Sequence, residues 1–338
     1  MLREIIGIDP GSTRLKICNR KGEIITDTAS VMIFDTYHRH PYGDIAAFGD
    51  KARELSGKLP PDFKVLRPFQ TGKICHFDGA VALFENTTFK RGSKKGVLKP
   101  TAVINQSINA TVVEREALCE SLMEAGASKV FEIDSPISAA MGAGVDITES
   151  NGNMIVNIGG THTEIAIMSL SNIVTAEALP FSVSTLKKRI RDLLKEDYRL
   201  LIGEKTTDEL LDLSMRSLER QPSTLGPVVG IDIDSGLPVK KSVKKETIWE
   251  VTRYEMDYLI SAIRESLEGT QPELVTDILE RGIIFAGGFS NYAGFVDYVN
   301  KKVEVQIIVP EEPEYLCVRG NIAIYANKSL RPLLREAF

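Results

Sequence analysis

The sequence has few of the patterns that mark secreted, metal-binding or membrane-spanning proteins. Its four cysteines are scattered and form no CxxC pair, which argues against a disulfide framework and a zinc site. Only His38 and His40 among the four histidines are close together, so the sequence indicates no histidine-rich metal cluster. No stretch approaches the roughly 20 apolar residues of a membrane-spanning helix. We therefore expect a reduced, cytoplasmic protein whose contact with a membrane, if any, is peripheral.

Excess positive charge is also lacking. The chain has 41 basic and 46 acidic residues and a net charge of −5, which gives no reason to expect nucleic-acid binding. No secretory leader is expected, because Met1-Leu2-Arg3-Glu4 leads straight into a strand at Ile5. With 338 residues, the chain exceeds what one hydrophobic core usually serves, so two or more subdomains are expected.

Three strands that end in glycine turns are the main feature that is present. The first runs from Ile5 into Asp9-Pro10-Gly11-Ser12-Thr13 and returns through Leu15 to Cys18. The second spans 154–169 with Gly159 and Gly160 at its turn, and the third, 283–286, ends in Gly287-Gly288. Glycines at such turns let backbone N–H groups approach an anion closely. One such turn would be an ordinary hairpin, but three predict two related α/β halves that close on one polyanionic ligand.

Helix signals fill in the α/β pattern. Capping boxes of the form Thr-x-x-Glu predict helix starts at Thr111, Thr206 and Thr252. Ser135-Pro136 follows a strand and predicts a helix with Ser135 at the N-cap and Pro136 at the first helical position. The turn-rich stretches 28–70 and 221–246 are typical of small inserted subdomains.

Several longer segments are more specific than any glycine turn. They include Ile6-Gly-Ile-Asp9, Glu124-Ala-Gly-Ala-Ser-Lys-Val-Phe131, Ala139-Ala140-Met-Gly142-Ala-Gly144, Thr163-Glu-Ile-Ala166, Leu201-Ile-Gly-Glu204 and Ser235-Gly-Leu-Pro238. Through these segments, and over nearly its whole length, the chain resembles the MreB family of bacterial actin homologues. That family lies within the superfamily of actin, heat-shock chaperones and sugar kinases.

The resemblance implies an α/β, actin-like fold with two related halves around an interdomain nucleotide cleft and four subdomains. The implied subdomains are IA (1–32, 70–146 and 314–338), IB (33–69), IIA (147–181 and 248–313) and IIB (182–247). It implies ATP or ADP with Mg²⁺ in the cleft, and Asp9 as the residue that holds the metal through water. The implied nucleotide contacts are Gly11, Ser12, Thr13, Lys16, Gly159, Gly160, Thr161, Glu204, Lys205, Gly287, Gly288 and Phe289.

Two departures from the family pattern affect catalysis. Members of the family carry Glu-Glu-Pro, whose second glutamate polarises the attacking water, where this chain has Asp134-Ser135-Pro136. A serine hydroxyl is no base near neutral pH without a partner, and general-base help is worth about 10²–10⁴-fold. The family aspartate that helps hold hydrated Mg²⁺ is Asn157 here, which removes a negative charge that Mg²⁺ prefers. No catalytic residue is therefore intact, and we expect weak or absent ATP hydrolysis.

Further departures surround the nucleotide turns. Thr161 replaces a family glycine and adds a side chain to the second turn, and His162 adds bulk beside it. Phe289 follows the third turn, where its ring either stacks near the adenine or fills the adenine pocket.

Membrane contact is implied at the loop from Lys90 to Lys99, where family members carry a membrane-insertion loop. Lys94, Lys95, Val97 and Leu98 are the expected contacts, and each lysine near an anionic leaflet adds about 1 kcal/mol. The alternative is a solvated loop with Val97 and Leu98 packed against the next strand. Likewise, the tail 330–338 either makes a second membrane contact or folds back on its own domain.

Three functions remain open at this point. The first is a cytoskeletal protein that forms homopolymeric filaments on the inner face of the membrane, with weak or absent ATP hydrolysis and possible membrane-protein partners. The second is a non-polymerising adaptor for a membrane complex. The third is an active ATPase or phosphotransferase, against which Ser135, Asn157 and the lack of an evident sugar-binding insertion argue.

Overall fold

Two large mixed sheets and two small sheets form the framework of the protein. The structure is a computed structural model that describes residues 4–36, 45–89, 99–216 and 225–337. The strands are β1 (Ile5–Pro10), β2 (Arg14–Cys18), β3 (Ile24–Ala29), β4 (Met32–Asp35), β5 (Ile45–Phe48), β6 (Phe63–Leu66), β7 (Phe69–Gln70), β8 (Lys73–Ile74), β9 (Thr101–Gln106), β10 (Lys129–Asp134), β11 (Asn153–Ile158), β12 (Thr163–Ser169), β13 (Asn172–Leu179), β14 (Leu200–Leu201), β15 (Leu225–Asp232), β16 (Pro238–Val243), β17 (Ile283–Ala286), β18 (Ile307–Ile308) and β19 (Arg335–Glu336). The helices are α1 (Gly49–Leu55), α2 (Phe77–Phe84), α3 (Val112–Ala125), α4 (Ser135–Gly142), α5 (Val183–Asp197), α6 (Glu204–Arg216), α7 (Lys245–Glu268), α8 (Pro272–Arg281), α9 (Phe295–Val303) and α10 (Leu316–Ala326).

The first half is built on a six-stranded sheet in the order β19-β10-β9-β1-β2-β3. β1 pairs antiparallel with β2 and parallel with β9, and β9 is buried along its whole length. Helices α4 and α10 pack closely together beside this sheet because glycines face backbone there. A Cβ at Gly142 would lie 1.9 Å from the Leu316 carbonyl oxygen, and one at Gly320 would lie 1.8 Å from that of Ser138.

The second half repeats this arrangement in a five-stranded sheet, β13-β12-β11-β17-β18. β11 pairs antiparallel with β12 and parallel with β17, as β1 does with β2 and β9. Its core lies between this sheet and the buried faces of α5, α7 and α9. The expectation of two related α/β halves is therefore confirmed.

A small lobe is attached to each half. The first small lobe consists of β4, β5, β6 and α1, and the second of β14, β15, β16, α5 and α6. Two ion pairs join them: Arg53 Nη2 is 3.4 Å from Asp208 Oδ2, and Arg67 Nη2 is 3.5 Å from Glu204 Oε1. The exact subdomain boundaries given above remain a prediction.

The C-terminal tail folds back on the first half, which is the second of the two alternatives above. Leu330 is 3% exposed within the core that also contains α4 and α10. Farther on, β19 pairs antiparallel with β10, with Arg335 opposite Glu132 and Glu336 opposite Phe131. The tail therefore covers an edge of the six-stranded sheet, and Phe338 lies outside the described residues.

One of the three predicted capping boxes is confirmed and two are wrong. The Thr111 hydroxyl accepts a hydrogen bond from Glu114 N, and the Glu114 carboxylate accepts one from Thr111 N at 2.8 Å, so α3 begins there. Thr206 and Thr252 lie inside α6 and α7. The Thr252 hydroxyl donates to the Ile248 carbonyl one turn earlier at 3.1 Å, so the helix continues through it.

Two further sequence predictions concern membranes. Within the residues that the structure describes, no helix is long and apolar enough to cross a membrane. The predicted contacts Lys94, Lys95, Val97 and Leu98 lie outside the described residues.

Candidate nucleotide cleft

The two hairpin turns predicted to bind phosphate lie directly against each other. Turn one comprises residues 11–13 between β1 and β2, and turn two comprises residues 159–162 between β11 and β12. The Thr161 hydroxyl donates to the Ser12 hydroxyl at 2.9 Å. A Cβ at Gly160 would lie 1.8 Å from Thr13 Oγ1, so only glycine allows this approach. The structure thus brings together the first two glycine turns.

The third glycine turn follows β17 and contacts the end of β11 in the second half. Gly287 has φ of +88°, and a Cβ there would lie 2.1 Å from the Ile158 carbonyl oxygen. The Phe289 ring is 1% exposed and packs edge-on against Phe181 and Phe295. Phe289 is therefore a core residue of the second half, and stacking on a base would require its ring to leave that core.

Asp9 and Lys16 form an ion pair beside turn one. Lys16 Nζ lies 3.3 Å from Asp9 Oδ2 and donates to the Glu314 carbonyl at 2.8 Å. Asn105 Nδ2 donates to the other oxygen of Asp9 at 3.0 Å. Lys16 therefore points inward and links the turn to the segment before α10, instead of facing solvent from its strand.

Ser135 belongs to a network of amides and hydroxyls. Its hydroxyl donates to the Gln106 carbonyl at 2.9 Å and accepts from Asn105 Nδ2 at 3.2 Å. Asn321 Nδ2 donates to the Asn105 amide oxygen at 3.0 Å, which holds that side chain in place. Because the hydroxyl proton of Ser135 is bound to a backbone carbonyl, this residue has no basic partner. That geometry agrees with the expected loss of a general base.

The helix that begins here differs from the sequence prediction by one residue. Asp134, not Ser135, occupies the N-cap of α4, and its side chain makes no capping hydrogen bond. Its carboxylate instead accepts from Arg115 at 2.5 Å and from Arg335 at 3.0 Å. Two arginines outcompete the backbone N–H groups for this carboxylate because ion-paired hydrogen bonds are stronger.

Asn157 faces an uncharged partner. Its Nδ2 lies 3.6 Å from Cys317 Sγ, and burial raises the pKa of that thiol well above its ordinary value, so it stays neutral. In the described residues, no group of three or more His, Cys, Asp or Glu side chains could hold a metal ion. Asp9 is the predicted metal residue, but Lys16 already pairs with its carboxylate. The metal side of the cleft is therefore poorly suited to Mg²⁺.

A turn that the sequence reasoning missed closes over the two phosphate turns. Thr71 N, between β7 and β8, donates to Thr161 Oγ1 at 2.9 Å, and Gly72 N donates to Ser12 Oγ at 3.3 Å. Gly72 has φ of +72°, and a Cβ there would lie 2.6 Å from His162 Cε1. The only local sequence signal for this contact is the Thr71-Gly72 pair, and such a pair by itself predicts a turn but not its partners.

His162 packs beside a buried carboxylate. Its Nε2 lies 3.6 Å from Glu164 Oε1, and Glu164, which is 1% exposed, accepts from Ile108 N at 2.9 Å. The other ring nitrogen of His162, Nδ1, is buried with no hydrogen-bond partner among the described residues. His162 therefore links turn two to the first half by packing, as well as adding the bulk that was expected.

Glu204 and Lys205 lie in the first turn of α6 and are exposed. Glu204 pairs with Arg67 of the first small lobe, so its present contact is an ion pair between lobes.

The residues of the cleft fit phosphates better than they fit a metal-activated water. Backbone N–H groups at the glycine turns, the hydroxyls of Ser12 and Thr13, and Lys16 are groups that bind phosphate oxygens. Ser135 and Asn157 offer neither a base nor a negative charge. The predicted nucleotide contacts and the predicted loss of hydrolysis both remain predictions.

Comparison with known proteins agrees with this geometry. A family model described as MreB/Mbl protein matches residues 3–331. The cell shape-determining protein Mbl of Bacillus subtilis is 31% identical over 316 residues, which cover 93% of each chain. The crystal structure of MreB5 of Spiroplasma citri bound to AMPPNP superimposes with a TM-score of 0.88 at 24% identity over 98% of both chains. The same protein bound to ADP gives 0.85 at 25% identity over 94% of both chains. A MamK double helical filament gives a TM-score of 0.78 at 19% identity, covering 96% of this chain and 99% of that one.

Proposed function

The chain belongs to the MreB/Mbl family of actin-like proteins, and from that premise we propose that it is a cytoskeletal protein that assembles into filaments and hydrolyses ATP weakly or not at all. Family membership supports the cytoskeletal role, because the curated relatives are cell shape-determining proteins. Filament assembly is supported by the fold, since a chain of the same fold forms a double helical filament.

The proposed loss of hydrolysis rests on two observations. The hydroxyl of Ser135 donates its proton to the Gln106 carbonyl, and no carboxylate stands at Asn157. A water molecule in the cleft would therefore lack the base that removes its proton, which is worth about 10²–10⁴-fold in rate.

Nucleotide binding is part of the same proposal. MreB5 of Spiroplasma citri, which superimposes well on this chain, has been solved with AMPPNP and with ADP. In this chain the first two glycine turns lie directly against each other. Ser12, Lys16, Gly159 and Gly160 are the residues we expect to hold the phosphates. ATP or ADP would supply the charged ligand on which the two halves close. Mg²⁺ would add only weak coordination, because Asn157 replaces a carboxylate.

Peripheral attachment to the inner face of the cell membrane completes the proposal. It rests on the family and on the composition of residues 90–99, where five cations surround Val97 and Leu98. A Val97→Ser/Leu98→Ser variant is expected to lose binding to vesicles that contain anionic lipid, whereas a change in the exposed Lys240 of the second small lobe should not. Equal vesicle binding by both variants would contradict this role of the loop.

Sedimentation and electron microscopy test filament assembly. The full chain at tens of micromolar, with and without ATP and Mg²⁺, is expected to form a polymer that pellets and is visible as filaments. Because hydrolysis is weak, the pellet should persist after ATP is added and should not disassemble with time. If no polymer forms under any of these conditions, the non-polymerising adaptor is the better reading.

A further inference from the structure

We propose that the hydroxyl of Thr161 occupies the place of the terminal phosphate of a nucleoside triphosphate, so that the cleft prefers a nucleoside diphosphate. This inference rests on the nucleotide binding proposed above and adds which nucleotide the site selects.

Thr161 joins three separate segments through one oxygen atom. Its hydroxyl donates to Ser12 Oγ of turn one at 2.9 Å and accepts from Thr71 N at 2.9 Å. Ser12 Oγ in turn accepts from Gly72 N at 3.3 Å. Two hydroxyl groups thus bind turn one, turn two and the turn at 71–72 into a single chain of hydrogen bonds.

These contacts use the groups that would bind a phosphoryl group between the two turns. The Thr161 hydroxyl has one proton and donates it to Ser12 Oγ at 2.9 Å, so a phosphate oxygen can accept from Thr161 only after this hydrogen bond breaks. The turns also touch at Gly160, where a Cβ would lie 1.8 Å from Thr13 Oγ1. A terminal phosphate could enter only if the two halves moved apart at this point.

Thr161 also satisfies the groups that a terminal phosphate would otherwise satisfy. A hydroxyl is both a donor and an acceptor, so it can accept from an N–H group and donate to a second hydroxyl at the same time. Glycine, which the family carries at this position, offers neither group. In this chain a triphosphate has to break two hydrogen bonds before its own are made. A diphosphate leaves both hydrogen bonds intact.

Calorimetry with two nucleotides tests the inference. The full chain, freed of nucleotide, is titrated with ADP and with the non-hydrolysable analogue AMPPNP, each in the presence of Mg²⁺. Two hydrogen bonds predict that ADP binds about 10- to 100-fold more tightly than AMPPNP. Equal affinities, or tighter binding of AMPPNP, would overturn the proposal.

Three variants at one position separate the hydroxyl from the bulk of the side chain. Thr161→Ser keeps the hydroxyl and is expected to keep the preference for ADP. Thr161→Gly removes both the hydroxyl and the bulk of the side chain, whereas Thr161→Val keeps the bulk without the hydroxyl. Both variants are expected to lose the preference for ADP, and the glycine variant is expected to do so by binding AMPPNP more tightly. If Thr161→Val retains the preference, bulk and not the hydroxyl is responsible, and the proposal is wrong. Should the glycine variant not fold, the serine and valine variants still decide.

The outcome is separable from that of filament assembly. If the protein pellets as filaments but binds neither nucleotide, the filament proposal stands, while the proposed nucleotide binding and this inference both fail. If it binds ADP and AMPPNP equally, nucleotide binding stands and only this inference fails. If ADP is preferred but no polymer forms, the inference stands and the filament proposal fails.

Discussion

At the scale of single residues, the proposed loss of hydrolysis depends on Ser135 and Asn157. Both side chains are neutral and both have partners: Ser135 has the Gln106 carbonyl, and Asn157 has the Cys317 thiol. A carboxylate at both positions would supply a base and a charge for Mg²⁺.

The double variant Ser135→Glu/Asn157→Asp is therefore expected to raise the rate of phosphate release from ATP by about 10²-fold. A colorimetric phosphate assay measures it. Ser135→Gln/Asn157→Asp is the matched control, because glutamine has the size of glutamate but cannot accept the proton, and it should stay near the parental rate. If the glutamate variant also stays there, Thr161, His162 or Phe289 limits hydrolysis instead.

The cysteines offer a second test at this scale. Burial raises the pKa of Cys18 to about 11 and that of Cys119 to about 12, and it also raises the pKa of Cys317 well above its ordinary value. Cys75 is exposed. Since the thiolate is the reactive form, a maleimide near neutral pH is expected to label Cys75 alone in the folded protein and all four cysteines after unfolding. Intact mass spectrometry gives the number of labels on each chain. Rapid labelling of a Cys75→Ser variant would contradict the burial of the other three cysteines.

The sequence predicted the positions of the glycine turns because glycine spacing is a local signal, and their binding of phosphate stays a prediction. It missed Thr71, Asn105 and Asn321, whose partners lie far away in the chain: Thr71 N binds Thr161, and Asn321 binds Asn105. A contact between positions that distant leaves no periodic trace in one sequence. For the same reason the sequence did not show that Lys16 points inward, because its partner, the Glu314 carbonyl just before α10, lies far away in the chain.

At the scale of elements, ion-paired hydrogen bonds help to hold β19 against β10. Arg335 donates to Glu132 at 2.8 Å and to Asp134 at 3.0 Å, while Arg115 also donates to Asp134. Burial alone would favour the neutral form of Asp134, but the hydrogen bonds from Arg335 and Arg115 outweigh it and lower its pKa. A carboxyl group whose pKa is lowered by folding stabilises the fold above its unfolded pKa of about 4, and this contribution is lost as the pH falls.

Arg335→Ala is thus expected to lower the free energy of unfolding by about 1 kcal/mol at pH 7, a modest value because Arg335 is half-exposed. The loss should shrink as the pH falls toward the lowered pKa of Asp134, because protonation of that carboxyl group removes its ion pair with Arg335. Urea unfolding at pH 7 and at acidic pH measures both. In an Asp134→Asn background the pH dependence of the Arg335→Ala effect should diminish, and an undiminished dependence would place its origin at another carboxylate.

Helix starts illustrate what local sequence decides and what it does not. The box at Thr111 begins a helix, while those at Thr206 and Thr252 lie inside longer ones. A threonine can cap a helix end or bond back to a carbonyl one turn earlier, and packing of the preceding turn selects between them. Before Thr252 that turn carries the buried Ile248, so α7 extends toward Lys245.

At the scale of the whole molecule, the two small lobes hold each other by ion pairs. Arg53 meets Asp208, which Lys187 also contacts, and Arg67 meets Glu204. These pairs are partly exposed, so each contributes at most about 1 kcal/mol and is weakened by salt. Together they favour a closed cleft.

Arg53→Ala/Arg67→Ala is expected to release a bound fluorescent ADP about 2- to 10-fold faster than the parent at low salt, with the difference shrinking at high salt. Stopped-flow displacement measures the rate. Arg199→Ala is the matched control, since Arg199 pairs with Asp234 at 2.6 Å within one small lobe and should leave release unchanged. Equal release by all three proteins would show that the lobes do not restrain the cleft.

The position of α10 has a consequence for how the protein is made. Val318 and Ile322 of α10 pack on Ile5 and Cys18 of the first half, and β19 pairs with β10. During synthesis the ribosome produces the strands of the first half early, but the helix and strand that cover them only after the second half. The second half, from β11 to β18, emerges in one continuous stretch between them. Nascent chains are thus expected to complete the second half first, and to keep apolar surface of the first half open to chaperones until α10 and β19 have emerged.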